Sequence, residues 1–166
     1  LDAADVYPKT ERGLKAWVGV GGSPESVVRT ARHGLGLMLA IIGGPAERFG
    51  SFVDLYHRAV DSFGGQPHPI GVHSPGHVAD TDAQAQEEAY PGFEAMHNTI
   101  GRERGWPAYN RARFLHEIGP EGSSYVGSPE TVARKIASTM RTLGAQRFDM
   151  KFSTGTLSHE HMMRSI

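Results

Sequence analysis

Glycine pairs followed by a hydroxyl residue are the first sign of chemistry in this chain. Gly21-Gly22-Ser23-Pro24-Glu25-Ser26 sets two residues without side chains ahead of a helix start. Bare backbone lets a ligand come close, and the free N–H groups at the positive end of a helix attract an anion such as phosphate. Glu25 adds a carboxylate to the same turn, which favours the helix and opposes a phosphate, so a plain cap is the competing reading. Gly127-Ser128-Pro129-Glu130 repeats the arrangement and leaves the same two readings open. Ile42-Gly43-Gly44 and Ser153-Thr154-Gly155-Thr156 are further glycine-bearing loops, each of which suits either a ligand or a turn. No side chain stands out as a catalytic acid, base or nucleophile, and the Gly-x-Ser-x-Gly elbow, the P-loop and Gly-x-Gly-x-x-Gly are all missing.

His73, His77, Asp80 and Asp82 invite a metal reading, but Pro75 and Gly76 interrupt any helical spacing and no second histidine pair supports it. The expected metal is none; the functional reading is that His73 or His77 faces a ligand from the end of the third strand, and the competing reading is a solvated or hydrogen-bonded loop histidine. His159-Glu160-His161 lacks the zinc-protease spacing and is expected at the surface. Tyr90, Phe93 and Met96 read as core contacts. Trp106 suits a lid or, more simply, a satellite hydrophobic cluster, while Arg102 and Arg104 read as a solvated face.

The elements that must position these groups alternate. Apolar runs at 16–20, 36–42, 69–73 and 147–152 read as four strands, the third with an exit loop at Ser74-Pro75-Gly76-His77. Helices are expected from Ser23 to about His33, from Pro45 to about Phe63, over about 83–103 after Thr81 or Asp82, near Arg111 to Glu117, and from Ser128 to Gly144. In the last of these, Val132, Ile136, Met140 and Leu143 mark one face. A final amphipathic segment starts at Ser158. Residues 1–14 lack periodicity and read as an extended lead-in, 15–166 as one α/β domain, and about 104–124 as an insertion within it. Buried strands alternating with helices predict a parallel sheet whose strand-to-helix loops share one edge, the edge that carries ligands in such folds.

The chain has 166 residues, 17 Lys and Arg against 18 Asp and Glu, and no cysteine. That balance argues against nucleic acid or an anionic membrane surface as partner, and disulfides and thiolate metal sites are excluded. The longest apolar run, Leu35 to Ile42, is strand-sized, so no membrane span is expected, and with nothing marking export the expected location is the cytoplasm.

The stretches WVGVGGSPESVVRTARHGLGLMLAIIGG, PIGVHSPGHVADTDAQAQEEAY, YVGSPETVARKIASTMRTLG and RFDMKFSTGTLSHEHMMRSI resemble the bacterial-luciferase-like flavin-dependent oxidoreductases and monooxygenases, a family that includes deazaflavin-dependent members. The resemblance implies a TIM (β/α)8 barrel, of which these segments look like units five to eight, the C-terminal half. It implies FMN or the deazaflavin F420 as cofactor, a small-molecule substrate, and cofactor contacts at Gly21, Gly22, Ser23, Gly43, Gly44, His77, Gly127 and Ser128. The alternative is a non-catalytic half-barrel that binds a flavin or phosphate ligand, or that only oligomerises. A half-barrel is also expected to leave apolar inner strand faces open, drawn from Trp17, Val18, Leu37, Leu39, Ile41, Ile70, Val72, Phe148 and Phe152. It should close them in a homo-oligomer or against a separate N-terminal half.

Overall fold

Side-chain alternation along the strands decides this architecture. The computed structural model describes Glu11 and residues 13–166, so most of the expected lead-in lies outside the described residues. Strands β1 (Trp17–Val20), β2 (Gly36–Ala40), β3 (Ile70–Val78), β4 (Tyr125–Gly127) and β5 (Arg147–Lys151) form one sheet with every pairing parallel. The four expected strands are neighbours in chain order, β1 beside β2, β2 beside β3 and β3 beside β5. Between them run α1 (Pro24–Arg32), a 3-10 turn (Ala46–Phe49), α2 (Gly50–Ser62), α3 (Asp82–Arg104), α4 (Arg111–Ile118) and α5 (Pro129–Leu143), with α6 (His159–Arg164) last.

One face of the sheet is covered by helices. Val20, Leu39, Val72 and Phe148 share a register row, and Leu37 and Ile70 share another. Leu37, Leu39, Ile41, Ile70 and Val72 are essentially buried in one cluster with Val27 and Ala31 of α1, Tyr56 and Val60 of α2 and Leu143 of α5. Each such side chain contributes about 1.5–3 kcal/mol by leaving water.

The expectation of a bare apolar inner face needs correcting, because those five residues point toward the helices. The opposite rows carry Trp17 beside Gly36, Met38 beside Gly71, and Ala40 beside His73. A Cβ at Gly36 would lie 2.9 Å from the Trp17 ring, and one at Gly71 would lie 2.7 Å from Met38 Cε. Trp17 and Met38 thus lie against the two glycines on this face and are half-buried there, with the Arg147 guanidinium 5.5 Å from the Trp17 ring centroid.

The third strand also departs from expectation. Ser74 to His77 form no exit loop; β3 continues through them to Val78. Its Gly71–Pro75 segment pairs with β5 and its Gly76–Val78 segment with β4, so Pro75, which has no N–H for a ladder, sits where the partner changes. β4 itself was not expected. The strand-to-helix handovers behave as the residue types require: the side chains of Ser23, Thr81, Asn110, Ser128 and Ser158 each accept the N–H three residues on, at 2.9–3.4 Å. A second cluster, Ala85, Ala89 and Phe93 of α3 with Tyr109, Phe114 and Val126, seats α3 and α4 against β4.

Candidate functional site

A cleft of about 650 Å³ opens where β1, β2 and β5 end, beside the middle of β3. One wall is sheet and loop: Gly21, Ala40, Ile42, Gly43, Gly44, His73 and Pro75, with Lys151 from the end of β5. The other wall comes from α3 and the chain after it: Phe93, Met96, His97, Ile100, Arg104, Trp106, Tyr109, and Arg113 and Glu117 of α4. Glycines on the sheet wall leave room for a ligand. Among the described residues, a Cβ at Gly22 or Gly43 would meet nothing within 4 Å, and one at Gly21 only ordinary contacts with Ala40. Gly44 is different: φ is 76°, and a Cβ would lie 2.7 Å from Arg48 Nη1, so glycine is needed there for the fold.

Ser23 caps α1 through Ser26 N–H at 3.2 Å and donates its hydroxyl hydrogen to Glu25 at 2.9 Å. Local backbone hydrogen bonding, and then this hydroxyl, hold the Glu25 carboxyl below its ordinary pKa.

The far wall is a polar network under aromatic rings. Arg113 donates from Nε to Glu117 at 2.9 Å, the Tyr109 hydroxyl donates to the other oxygen of Glu117 at 2.6 Å, and Asn98 accepts Tyr109 N–H at 2.9 Å. Burial, and then the bond to Glu117, push the Tyr109 phenol far above its usual range, which keeps it a neutral donor. Trp106 is 43% exposed at the rim beneath the Arg104 guanidinium, 5.3 Å from its ring centroid, and it lies outside the buried satellite cluster expected for it. With Glu117 tied to Arg113 and Tyr109, the charges left facing the cleft among the described residues are the cations Arg104 and Lys151.

The remaining site residues lie elsewhere. At Ser128 the α5 start is already filled by a carboxylate. Asp82 accepts Ser128 N–H at 2.6 Å and the Thr131 hydroxyl at 3.1 Å, and these bonds, the backbone one foremost, lower its pKa. Gly127 makes room for that carboxylate, since a Cβ there would lie 2.9 Å from Asp82 Oδ1. His77 is 1% exposed and bonded through Nε2 to Glu88 at 2.8 Å. Glu88 also takes hydrogen bonds from Gln84 and Arg164; burial pushes its pKa up, but these bonds together hold it down at about 2. So Gly21, Gly43 and Gly44 meet in the cleft, Gly22 and Ser23 follow Gly21 into α1, and His77, Gly127 and Ser128 serve other contacts. Of the suspected metal set, His73 faces the cleft while His77 and Asp82 are engaged separately. Among the described residues no group of three or more His, Asp or Glu is placed to hold a metal ion, and no helix is long and apolar enough to cross a membrane.

Sequence reasoning missed His97, Tyr109, Arg113 and Glu117. The one available signal was the four-residue spacing of Arg113 and Glu117 behind the Asn110 cap.

A ligand-sized cleft at the C-terminal edge of parallel βα units marks an α/β protein of the barrel or doubly wound class. The model of one family, luciferase-like monooxygenase, matches residues 1–147, and the chain belongs to that family. No curated protein matches. Among solved structures, the monooxygenase RslO1 from Streptomyces bottropensis is 20% identical with a TM-score of 0.77, covering 96% of this chain and 47% of its own. The oxygenating constituent of 3,6-diketocamphane monooxygenase from Pseudomonas putida, a type II Baeyer-Villiger monooxygenase in complex with FMN, is 19% identical with a TM-score of 0.60, covering 81% and 40%. An F420-dependent secondary alcohol dehydrogenase is 15% identical with a TM-score of 0.57, covering 90% and 46%. These likenesses show the fold, that of part of a luciferase-like barrel, and the chain spans about half the length of the structures it matches.

Proposed function

We propose that this chain serves a flavin-dependent oxidoreductase, in the first instance a monooxygenase, and that the flavin binds in the cleft at the ends of β1, β2 and β5. One observation carries the reading: a single cleft joins uncovered glycine backbone to a wall of aromatic and cationic side chains. Membership of the luciferase-like monooxygenase family supports it, as do structural neighbours named for FMN and for F420, so FMN or a deazaflavin is the cofactor class.

The residues present fit such a group. Gly21, Gly22 and Gly43 leave backbone free to approach a flavin chain, and the positive dipole end of α1 suits its phosphate. Arg104 and Lys151 add positive charge on the cleft wall. Phe93, Met96, Trp106 and Tyr109 narrow the cleft and displace water, which strengthens every polar contact inside it. When bound, the flavin supplies the redox chemistry, and the protein's part is binding, orientation and exclusion of water. The test is direct: purified protein should be yellow or should quench FMN fluorescence saturably, and should then oxidise NAD(P)H or reduced flavin in the presence of substrate. Binding without turnover would favour the non-catalytic half-barrel.

A second proposal concerns assembly. Among the described residues β1 pairs only with β2 and β5 only with β3, which leaves backbone at both edges open to another chain. A second copy, or a separate N-terminal half, would complete the sheet. Light scattering at micromolar concentration should show a species larger than one chain; a stable monomer contradicts it.

A further inference from the structure

The chemistry of His97 in the cleft wall is decided by its neighbours. Its Nε2 lies 2.9 Å from Nη1 of Arg113. A guanidinium only donates, so this ring nitrogen accepts and carries no proton, and the one hydrogen of the neutral imidazole sits on Nδ1. Protonating Nε2 would set an imidazolium against a guanidinium at hydrogen-bond distance. Glu117 holds that guanidinium in place through Nε, and the Tyr109 hydroxyl holds Glu117. The imidazole is packed against the rings of Tyr109 and Trp106, with centroids 4.7 and 5.0 Å away, so its orientation is restrained as well. Burial, and then the Arg113 charge, lower the pKa of His97, with Glu117 opposing. Among the described residues Nδ1 has no protein partner, and it is not one of the buried unpartnered atoms, so it remains open to a ligand.

We propose that His97 is the fixed hydrogen-bond donor of the cleft, presenting Nδ1–H to a carbonyl oxygen of a flat conjugated ligand. A neutral N–H polarises a carbonyl without bringing a full charge to it, and the flanking rings suit a planar molecule. Such a carbonyl occurs both on the dione ring of a flavin and on a quinone-type substrate, and the experiment separates the two sources. The ligand part of the inference rests on the flavin reading above; the tautomer part does not.

Long-range proton–nitrogen NMR of the free protein near neutral pH reports which ring nitrogen carries the hydrogen. The expected result is a single Nδ1–H tautomer, lost in Arg113→Met; an Nε2–H tautomer or an imidazolium overturns the proposal. FMN and naphthoquinone are then titrated separately into wild type, His97→Phe, which keeps the ring stack without the donor, and His97→Asn, which returns an amide N–H near the Nδ1 position. For whichever ligand His97 contacts, affinity should fall about fivefold to tenfold in His97→Phe, the scale of one neutral hydrogen bond, and largely recover in His97→Asn. Affinities unchanged in His97→Phe for both ligands, or no binding of either by wild type, overturn the proposed role. If naphthoquinone binds with that pattern and FMN does not bind at all, the flavin reading fails and the role of His97 stands.

Discussion

Two helix starts in this molecule share one sequence grammar and meet different fates. Gly22-Ser23-Pro24-Glu25 opens α1 and Gly127-Ser128-Pro129-Glu130 opens α5, and in each the serine caps its own helix. At α5 a carboxylate from Asp82, 46 residues away, occupies the N-terminal N–H of Ser128. At α1 no described residue lies within 4 Å of where a Cβ on Gly22 would stand, and Gly21 opens onto the cleft. The motif supplies an anion-attracting helix end in both places. What separates them is whether the fold delivers a carboxylate from elsewhere in the chain.

Substituting the two glycines should expose that difference most strongly. In Gly127→Val the new side chain meets Asp82 Oδ1 at 2.9 Å and Thr131 at 3.0 Å, which displaces the carboxylate and leaves its donors unmatched. Urea unfolding should show a loss of about 2–3 kcal/mol. Gly22→Val meets nothing within 4 Å and should change stability by less than about 0.5 kcal/mol. Equal losses at the two sites would erase the distinction.

Removing the internal anion is the next largest effect. Asp82→Ala should cost about 1 kcal/mol, as for other lost caps. Because hydrogen bonds from Ser128 and Thr131 lower its pKa, the Asp82 contribution is present above the ordinary aspartate range and is lost as pH falls below it. The difference in urea midpoint between wild type and Asp82→Ala should therefore hold at neutral pH and shrink below about pH 4. A difference independent of pH would assign the effect to something other than the carboxylate.

The smallest effect belongs to Glu25, which is exposed and bonded to Ser23. Glu25→Gln removes a like charge from the neighbourhood of a bound phosphate and should tighten FMN about twofold, a gain that added salt diminishes. Weaker binding in Glu25→Gln would mean that no phosphate lies near α1.

How much of this was legible follows from range. The strands, their parallel order, and the caps at Ser23, Thr81 and Ser128 are written in local spacing, because buried apolar alternation and side-chain capping act over a few residues. The run of β3 through Pro75 and Gly76 was hidden because those residues normally end strands, and here a change of partner accommodates them. Asp82 read as a helix start or a metal ligand, since nothing local reveals that its carboxylate reaches Ser128. The far wall of the cleft was the least legible. His97, Tyr109, Arg113 and Glu117 come from α3, an irregular stretch and α4, and only their packing brings them together. In the same way, sequence marked His73 and His77 alike, while the register of β3 sends His73 to the cleft and packing pairs His77 with Glu88.

On the proposal above, the helix start at α1, and not its occupied twin at α5, receives the flavin. Fluorescence titration of FMN into wild type and Gly22→Val, at one salt concentration and with unfolding curves to show that both are folded, tests it most directly. Wild type should bind saturably, and Gly22→Val should lose about tenfold or more in affinity, since a branched side chain would stand where the ligand approaches backbone. Identical FMN affinities in the two folded proteins would contradict it.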